Sequence, residues 1–130
     1  MDEWSRQGHR QRILYVEDNF ENRILVQRIL EAEGYAFLGA ADAQEGLDIA
    51  RREIPDLILV DINMPEIDGL SMARELKNDP RFARVPVVAI TANVMHGDRE
   101  RTLAAGCDGY IQKPIDVDAL PRQIGAFLQQ

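Results

Sequence analysis

The sequence alternates short, unbroken apolar runs with longer stretches whose apolar residues fall three or four positions apart. The runs are ILYV (13–16), AFLGAA (36–41), LILV (57–60), VVAI (87–90) and GYI (109–111). The stretches between them have the spacing of amphipathic helices, and Gly34 and Gly106 stand where two of these helices should end. Their apolar positions are Ile24, Leu25, Ile29 and Leu30; Ala43, Leu47, Ala50 and Ile54; Leu70, Ala73 and Leu76; a weaker, charged stretch over 94–105; and Val117, Leu120, Ile124, Phe127 and Leu128. Strands without polar alternation are buried on both faces, so the pattern predicts a parallel sheet covered by helices on both sides.

These elements occupy almost the whole chain. Its 130 residues suit one domain, which we predict over residues 12–130 as a doubly wound α/β fold with five parallel strands and five helices. Residues 1–11 are polar and follow neither periodicity. We therefore predict that they form a flexible N-terminal tail.

Composition excludes several classes of partner. The net charge of −7 gives no electrostatic basis for binding nucleic acid. No apolar run approaches the roughly eighteen residues that span a bilayer, and the N-terminus lacks the apolar centre of a secretory signal. The single cysteine, Cys107, cannot form an internal disulfide. We therefore expect a soluble, cytoplasmic protein that binds neither nucleic acid nor membrane.

Polar residues follow most of the predicted strands. Glu17 and Asp18 follow the first, Asp61 the third, Thr91 and Ala92 the fourth, and Lys113 and Pro114 the fifth. Ligands of open parallel sheets bind beyond the carboxyl ends of the strands, and right-handed crossovers bring those ends to one edge. If the first and third strands are neighbours, three carboxylates meet there and repel one another.

A hard divalent cation offsets such repulsion, and Mg²⁺ prefers carboxylate, carbonyl and water oxygens. We predict Asp18 and Asp61 as direct Mg²⁺ ligands, the backbone carbonyl of Asn63 as a third, and Glu17 as a ligand through water. Asp61 would also be a nucleophile, since carboxylates form aspartyl phosphates.

The remaining residues of the cleft suit a phosphoryl group. Lys113 is one of only two lysines among 15 basic residues, and its compact charge would face the phosphoryl oxygens from the side opposite the metal. The hydroxyl of Thr91 and the amide of Ala92 would donate to the same oxygens. Taken alone, Asp61 could make an Asx turn and Lys113 could be a solvated strand end. Together, the residues favour the chemical interpretation.

Four segments carry a resemblance to a known family: VEDNFEN (16–22), LVDINMPEIDG (59–69), AITAN (89–93) and DGYIQKPI (108–115). They resemble the receiver domain of two-component response regulators, the CheY-like family, over residues 12–128. The region from TANVMH to QKPI is most similar to stand-alone DivK-type receivers and to the receivers of hybrid histidine kinases. The resemblance implies the flavodoxin-like strand order 2-1-3-4-5, a cis bond before Pro114, and Tyr110 as the aromatic residue that switches with phosphorylation.

The function implied by the resemblance is a phosphorylation switch rather than an enzyme. A histidine kinase or a histidine phosphotransfer protein would phosphorylate Asp61 with Mg²⁺ bound. Thr91 and Tyr110 would then change the affinity of the surface made by the fourth helix, fifth strand and fifth helix for a downstream protein. No output domain fits within the chain, so we expect it to act by binding a partner or to be a receiver cut from a larger hybrid kinase.

Three alternatives remain at this point. A Mg²⁺-dependent phosphatase of the haloacid dehalogenase type would need a second acid two residues after Asp61, where Asn63 stands. A nucleotide or flavin module would need a glycine- or hydroxyl-rich first turn, where EDNFEN would repel phosphate. A degenerate receiver would bind partners without being phosphorylated.

Overall fold

The computed structural model describes residues 10–63, 69–92 and 97–129, which form a parallel sheet flanked by helices. The strands are β1 (Arg12–Val16), β2 (Ala36–Ala40), β3 (Leu57–Asp61), β4 (Val87–Thr91) and β5 (Gly109–Gln112). The helices are α1 (Phe20–Ala32), α2 (Ala43–Glu53), α3 (Gly69–Lys77), α4 (Asp98–Ala104) and α5 (Leu120–Leu128), with a 3₁₀ helix at Pro80–Phe82. The sheet order is β2-β1-β3-β4-β5, and every neighbouring pair is parallel. The predicted fold class and strand order are confirmed.

The sheet separates two apolar cores, because successive side chains of a strand point to opposite faces. Leu14 and Met72 belong to the core on one face, and Tyr15, Val26 and Ile124 to the core on the other. All residues of β3 and β4 are buried. Each fully buried aliphatic side chain contributes about 1.5–3 kcal/mol, so the central strands form a rigid frame for their carboxyl ends.

Local capping sets the ends of α1. Its N-cap residue, Asn19, accepts a hydrogen bond from the backbone amide of Asn22 at 2.8 Å, which satisfies one of the amides left over at a helix start. Gly34 follows the end of α1 and Gly106 the end of α4, with φ of +91° and +92°. Both glycines therefore end helices as predicted.

Some predicted positions were wrong in detail. Ile54, expected within α2, is its C-cap at φ +43°, because the following Pro55 has no amide hydrogen with which to continue the helix. Leu25 is 39% exposed and Val117 is 52% exposed. Val117 also precedes α5, which begins at Leu120. Spacing alone did not show which apolar positions would be exposed to solvent, and the 3₁₀ helix was not predicted.

Parts of two predictions lie outside the described residues. These are residues 1–9 of the expected N-terminal tail and residues 93–96 near the predicted start of the fourth helix. Within the described ranges, every helix is too short or too polar to cross a lipid bilayer.

Gly69, the first residue of α3, lies against the carboxyl end of β3. A methyl group on its Cα would come within 2.8 Å of the backbone oxygen of Asp61 and 2.9 Å of the Cα of Ile62. Backbone atoms cannot rotate away from such a contact as a side chain can. The missing side chain of Gly69 therefore allows α3 to begin directly against the end of β3.

Replacing Gly69 with alanine is expected to lower the free energy of unfolding by about 1–3 kcal/mol, although alanine is the better helix former. The added methyl group must displace the junction of β3 and α3. Urea unfolding followed by far-UV circular dichroism measures the change.

Gly125→Ala is the matched control, because Gly125 lies inside α5 and no atom lies within 4 Å of the added methyl group. This substitution should raise the free energy of unfolding by about 0.5–1 kcal/mol. If Gly69→Ala were equally stabilising, the close approach at Gly69 would not constrain the fold.

Candidate functional site

Three carboxylates converge at the carboxyl edge of the sheet. Because β1 and β3 are neighbours, Glu17 and Asp18, which follow β1, lie beside Asp61, the last residue of β3. One carboxylate oxygen from each residue lies within 4.8 Å of the other two. Glu17 is only 1% exposed and Asp61 only 2%, whereas Asp18 faces solvent. The predicted convergence is confirmed, and the cluster opens to solvent at Asp18.

The carboxylate of Glu17 is held by donors on both of its oxygens. Its Oε1 accepts from the hydroxyl of Tyr15 at 3.0 Å and from Nδ2 of Asn22 at 3.4 Å. Its Oε2 accepts from the backbone amide of Asn19 at 3.1 Å. Arg23 donates to the backbone carbonyl of Glu17 at 2.6 Å. None of these four donors was predicted to have a site role, although the spacing of Tyr15 and Glu17, two residues apart at the end of a strand, was a usable signal.

Burial raises the pKa of Glu17 to about 7. The hydrogen bond and negative charge of the neighbouring Asp61 carboxyl raise this pKa as well, while the amide of Asn19 opposes the shift. Without a cation, the cluster therefore retains a proton on Glu17 well above the pH at which an exposed glutamate loses it.

Lys113 is the counter-ion of Asp61. Its Nζ lies 2.6 Å from Oδ2 of Asp61 and 3.7 Å from Oε1 of Glu17. Burial alone would lower the pKa of Lys113, but the hydrogen bond and charges of these two carboxylates more than offset burial and raise the pKa above its ordinary value. The amine is therefore charged at neutral pH. The Lys113–Pro114 bond is cis, as the resemblance implied.

Asn63 connects the ends of β3 and β4. Its backbone amide donates to Oδ1 of Asp61 at 2.8 Å, and its side-chain oxygen accepts from the backbone amide of Ala92 at 2.9 Å. The amide of Ala92 was predicted to donate to a phosphoryl oxygen, and in this structure it donates to Asn63. A ligand that needs the Ala92 amide must therefore displace the side chain of Asn63.

Thr91 and Tyr110 lie on one face of the sheet. Thr91 is buried at the end of β4, and its backbone carbonyl accepts from the amide of Lys113 at 2.8 Å. Tyr110 pairs with Ala89 in the parallel register, and Ala89 and Thr91 are two residues apart, so all three side chains point to the same side. Tyr110 is half-buried and packs against the core that contains Ala89.

The donor set fits a hard divalent cation. It offers carboxylate oxygens from three residues and no nitrogen or sulfur ligand among the described residues, which suits Mg²⁺ and not Zn²⁺. Among the described residues, one ammonium group, that of Lys113, lies near two of these carboxylates, Glu17 and Asp61. A cation held by Asp18 and Asp61, with Glu17 nearby, would offset the remaining negative charge.

The raised pKa of Glu17 predicts how stability depends on pH without divalent cations. Between about pH 4.5 and 7 the folded chain binds more protons than the unfolded chain, so the free energy of unfolding falls as the pH rises. From about pH 5 to about pH 8 we expect Glu17 to account for a loss on the order of 1–3 kcal/mol. Urea unfolding in EDTA measures it.

Glu17→Gln serves as the control for this pH series, because it removes the titrating group and preserves the shape of the side chain. Its free energy of unfolding should decline less over the same range. Mg²⁺ should also stabilise the wild type more at about pH 8 than at about pH 6, since protons compete with the cation. An identical decline in the variant would contradict the assignment to Glu17.

Comparison with known proteins agrees with this geometry. Residues 13–125 match the model of the response regulator receiver domain family. The chain is 42% identical over 116 residues to the polar-differentiation response regulator DivK of Brucella anthropi, an alignment that covers 89% of this chain and 94% of DivK.

Solved structures agree with the fold. The receiver domain of a sensor histidine kinase from Pseudomonas aeruginosa, described with a magnesium ion in its active site cleft, is 36% identical with a TM-score of 0.85 and covers 94% of this chain and 100% of its own. The Vibrio cholerae chemotaxis response regulator CheY4, 24% identical with a TM-score of 0.86, covers 92% of this chain and 99% of its own and shares the fold. The chain belongs to the response regulator receiver domain family.

Proposed function

We propose that Asp61 is the phosphoacceptor of this receiver and that its phosphorylation switches the affinity of the chain for a partner protein. The observation that carries the proposal is the setting of Asp61, a buried carboxylate held between the ammonium of Lys113 at 2.6 Å and two further acids. A structural salt bridge would not need the additional acids, which destabilise the site unless a cation joins them.

The reaction is a phosphoryl transfer to a carboxylate. An oxygen of Asp61 attacks the phosphorus of a phosphohistidine, the phosphorus–nitrogen bond breaks, and an acyl phosphate forms. The departing imidazole retains the electron pair of the broken bond and takes a proton from solvent. A carboxylate needs no general base to attack phosphorus, because it has no proton to lose, and the ammonium of Lys113 lies beside the carboxylate of Asp61.

The surrounding residues position the groups that react. Asp18, Asp61 and the carbonyl of Asn63 would hold Mg²⁺, with Glu17 contributing through water, and the cation supplies charge neutralisation at the phosphoryl oxygens. Lys113 is within reach of the same oxygens, because its ammonium already contacts Asp61. The amide of Ala92 becomes a further donor once the side chain of Asn63 releases it.

The switch is proposed to act through Thr91 and Tyr110. The hydroxyl of Thr91 would move toward the new phosphoryl group, and Tyr110, on the same face of the sheet, would take up the space that Thr91 vacates. The surface that would respond is formed by α4, β5 and α5, where a downstream protein would bind. Leu103, on α4, is 51% exposed and offers an apolar contact on that surface.

The phosphodonor is proposed to be a histidine kinase or a histidine phosphotransfer protein that docks beside the site. A groove of about 470 Å³ with mostly apolar walls lies beside the site. It is lined by Asn22, Leu25, Ala92, Lys113, Pro114 and Ile115. The neighbouring Phe20 is 64% exposed at the start of α1. An amphipathic helix laid in this groove would bring its histidine toward Asp61, because Lys113 belongs to both the groove and the site.

The proposal includes a cytoplasmic location, which the unpaired Cys107 supports.

Phosphorylation by a small acyl phosphate such as acetyl phosphate, with Mg²⁺, tests the role of Asp61. The intact mass of the wild type should rise by one phosphoryl group, and the mass of Asp61→Asn should not change, because the amide is not a nucleophile. Asp56→Asn is a matched control, since Asp56 is exposed at the opposite end of β3. Labelling of Asp61→Asn equal to that of the wild type would refute the assignment. Repeated turnover of a simple phosphate ester would favour the phosphatase alternative.

Leu25→Ala tests the docking groove. It should slow phosphoryl transfer from a phosphohistidine donor protein by about tenfold, the effect of losing about 1.4 kcal/mol of contact energy. Transfer from acetyl phosphate should be unchanged, because the small donor does not need the groove. Leu103→Ala removes the same side chain from α4 and should leave both rates unchanged. Equal slowing by the two variants would place the donor elsewhere.

A further inference from the structure

Tyr15 is a buried tyrosine whose hydroxyl points at the acidic cluster. It lies on β1 two residues before Glu17, which follows the strand. The backbone amide of Glu17 still donates to Ala40 of β2 at 2.9 Å, so the strand geometry continues and both side chains point to the same side. Its hydroxyl donates to Oε1 of Glu17 at 3.0 Å. Asn22 donates to the same oxygen at 3.4 Å, and the ammonium of Lys113 lies 3.7 Å from it as an ion pair. Among the described residues, Tyr15 therefore makes the shortest hydrogen bond to that oxygen.

The core fixes the position of this hydroxyl. Tyr15 is 0% exposed and belongs to the apolar core that also contains Val26 and Ile124. Its neighbours in the sheet are Gly39 and Leu59. Burial, and then the negative charge of Glu17, raise the pKa of Tyr15, so the phenol remains protonated and can only donate to the carboxylate. By contrast, Asn22, the second donor to Oε1, is only half-buried.

The contacts account for most of the acceptor capacity of Glu17. A carboxylate has about four lone-pair directions. Tyr15 and Asn22 use two on Oε1, and the amide of Asn19 uses one on Oε2. The remaining capacity is shared with the neighbouring Asp61 carboxyl while no cation is bound, and a cation or its water would use it instead.

We propose that Tyr15 is a positioning residue of the Mg²⁺ site, whose hydroxyl orients the carboxylate of Glu17 toward Asp18 and Asp61. The inference rests on the proposed function and assigns it a residue inside the core. Phenylalanine at position 15 would fill the same apolar space. The hydroxyl of Tyr15 therefore adds only its hydrogen bond to Glu17. Outer residues that orient metal ligands typically contribute 10–100-fold to metal affinity.

Titration of the unphosphorylated protein with Mg²⁺ by isothermal calorimetry tests the inference. Tyr15→Phe should weaken Mg²⁺ binding by about tenfold, while thermal melts without Mg²⁺ verify that the variant is folded. Tyr35→Phe is the matched control, because Tyr35 is a half-buried tyrosine at the opposite edge of the sheet, just before β2. Its Mg²⁺ affinity should equal that of the wild type. An unchanged affinity in Tyr15→Phe would overturn the inference.

A double-mutant cycle separates positioning from general loosening of the core. In a Glu17→Ala background, the hydroxyl has no carboxylate to orient, so Tyr15→Phe should weaken Mg²⁺ binding no further. Additive losses would refute positioning through Glu17. Asn22→Ala removes the other donor to the same oxygen without altering the core and should weaken Mg²⁺ binding by a smaller factor. If Tyr15→Phe does not fold, an unchanged affinity in Asn22→Ala overturns the inference.

The same titration distinguishes this inference from the proposed function. If the wild type binds no Mg²⁺, the proposed function fails. If the wild type binds Mg²⁺ and Tyr15→Phe binds it equally well, only the role of Tyr15 fails.

Discussion

Within the described part of the chain, the carboxyl edge of the sheet buries two acids, Glu17 and Asp61, against one ammonium group, that of Lys113. A buried carboxylate without partners is costly, and the cost is offset only by hydrogen bonds, opposite charge or protonation. All three occur here. Tyr15, Asn19 and Asn22 donate to Glu17, Lys113 pairs with Asp61, and Glu17 retains a proton up to about neutral pH. The hydrogen bonds and the ion pair at this edge therefore offset the cost of burying the carboxyl groups of Glu17 and Asp61.

The same constraint explains why the frame must be rigid. Glu17 and Asp18 follow β1 and Asp61 ends β3, and the residues just before Glu17 and Asp61, Val16 and Val60, are fully buried and paired in register. A slip of one residue would turn every side chain of a strand to the other face and separate the acids. Gly69 adds a further limit, since it holds the start of α3 against the backbone of Asp61. The packed sheet thus fixes the separation of the carboxylates before any ligand is present.

Most of the edge could be predicted because its residues follow apolar runs. Asp61 and Lys113 stand at strand ends in the sequence, and topology alone brings such ends together. The hydrogen bonds that orient them could not be predicted. Tyr15 lies inside the run ILYV, where an aromatic residue usually packs in the core. Its hydrogen bond to Glu17 depends on the side-chain rotamer of Glu17, which the sequence does not show. Likewise, the contact between Asn63 and Ala92 joins two loops whose approach no local pattern encodes.

The contacts at the edge also connect three strands to one another. The ion pair of Lys113 with Asp61 joins the end of β5 to the end of β3, while Asn63 joins β3 to β4 through Ala92. A phosphoryl group on Asp61 would compete for both partners at once, since it offers new acceptors to the ammonium of Lys113 and to the amide of Ala92. Both contacts stabilise the unphosphorylated arrangement. A phosphoryl group that weakened both would therefore change how the ends of β4 and β5 are held against β3. Asn63 has no acid or base with which to activate water at the acyl phosphate. Asn63 therefore cannot act as the general base that a phosphatase would place two residues after its nucleophile.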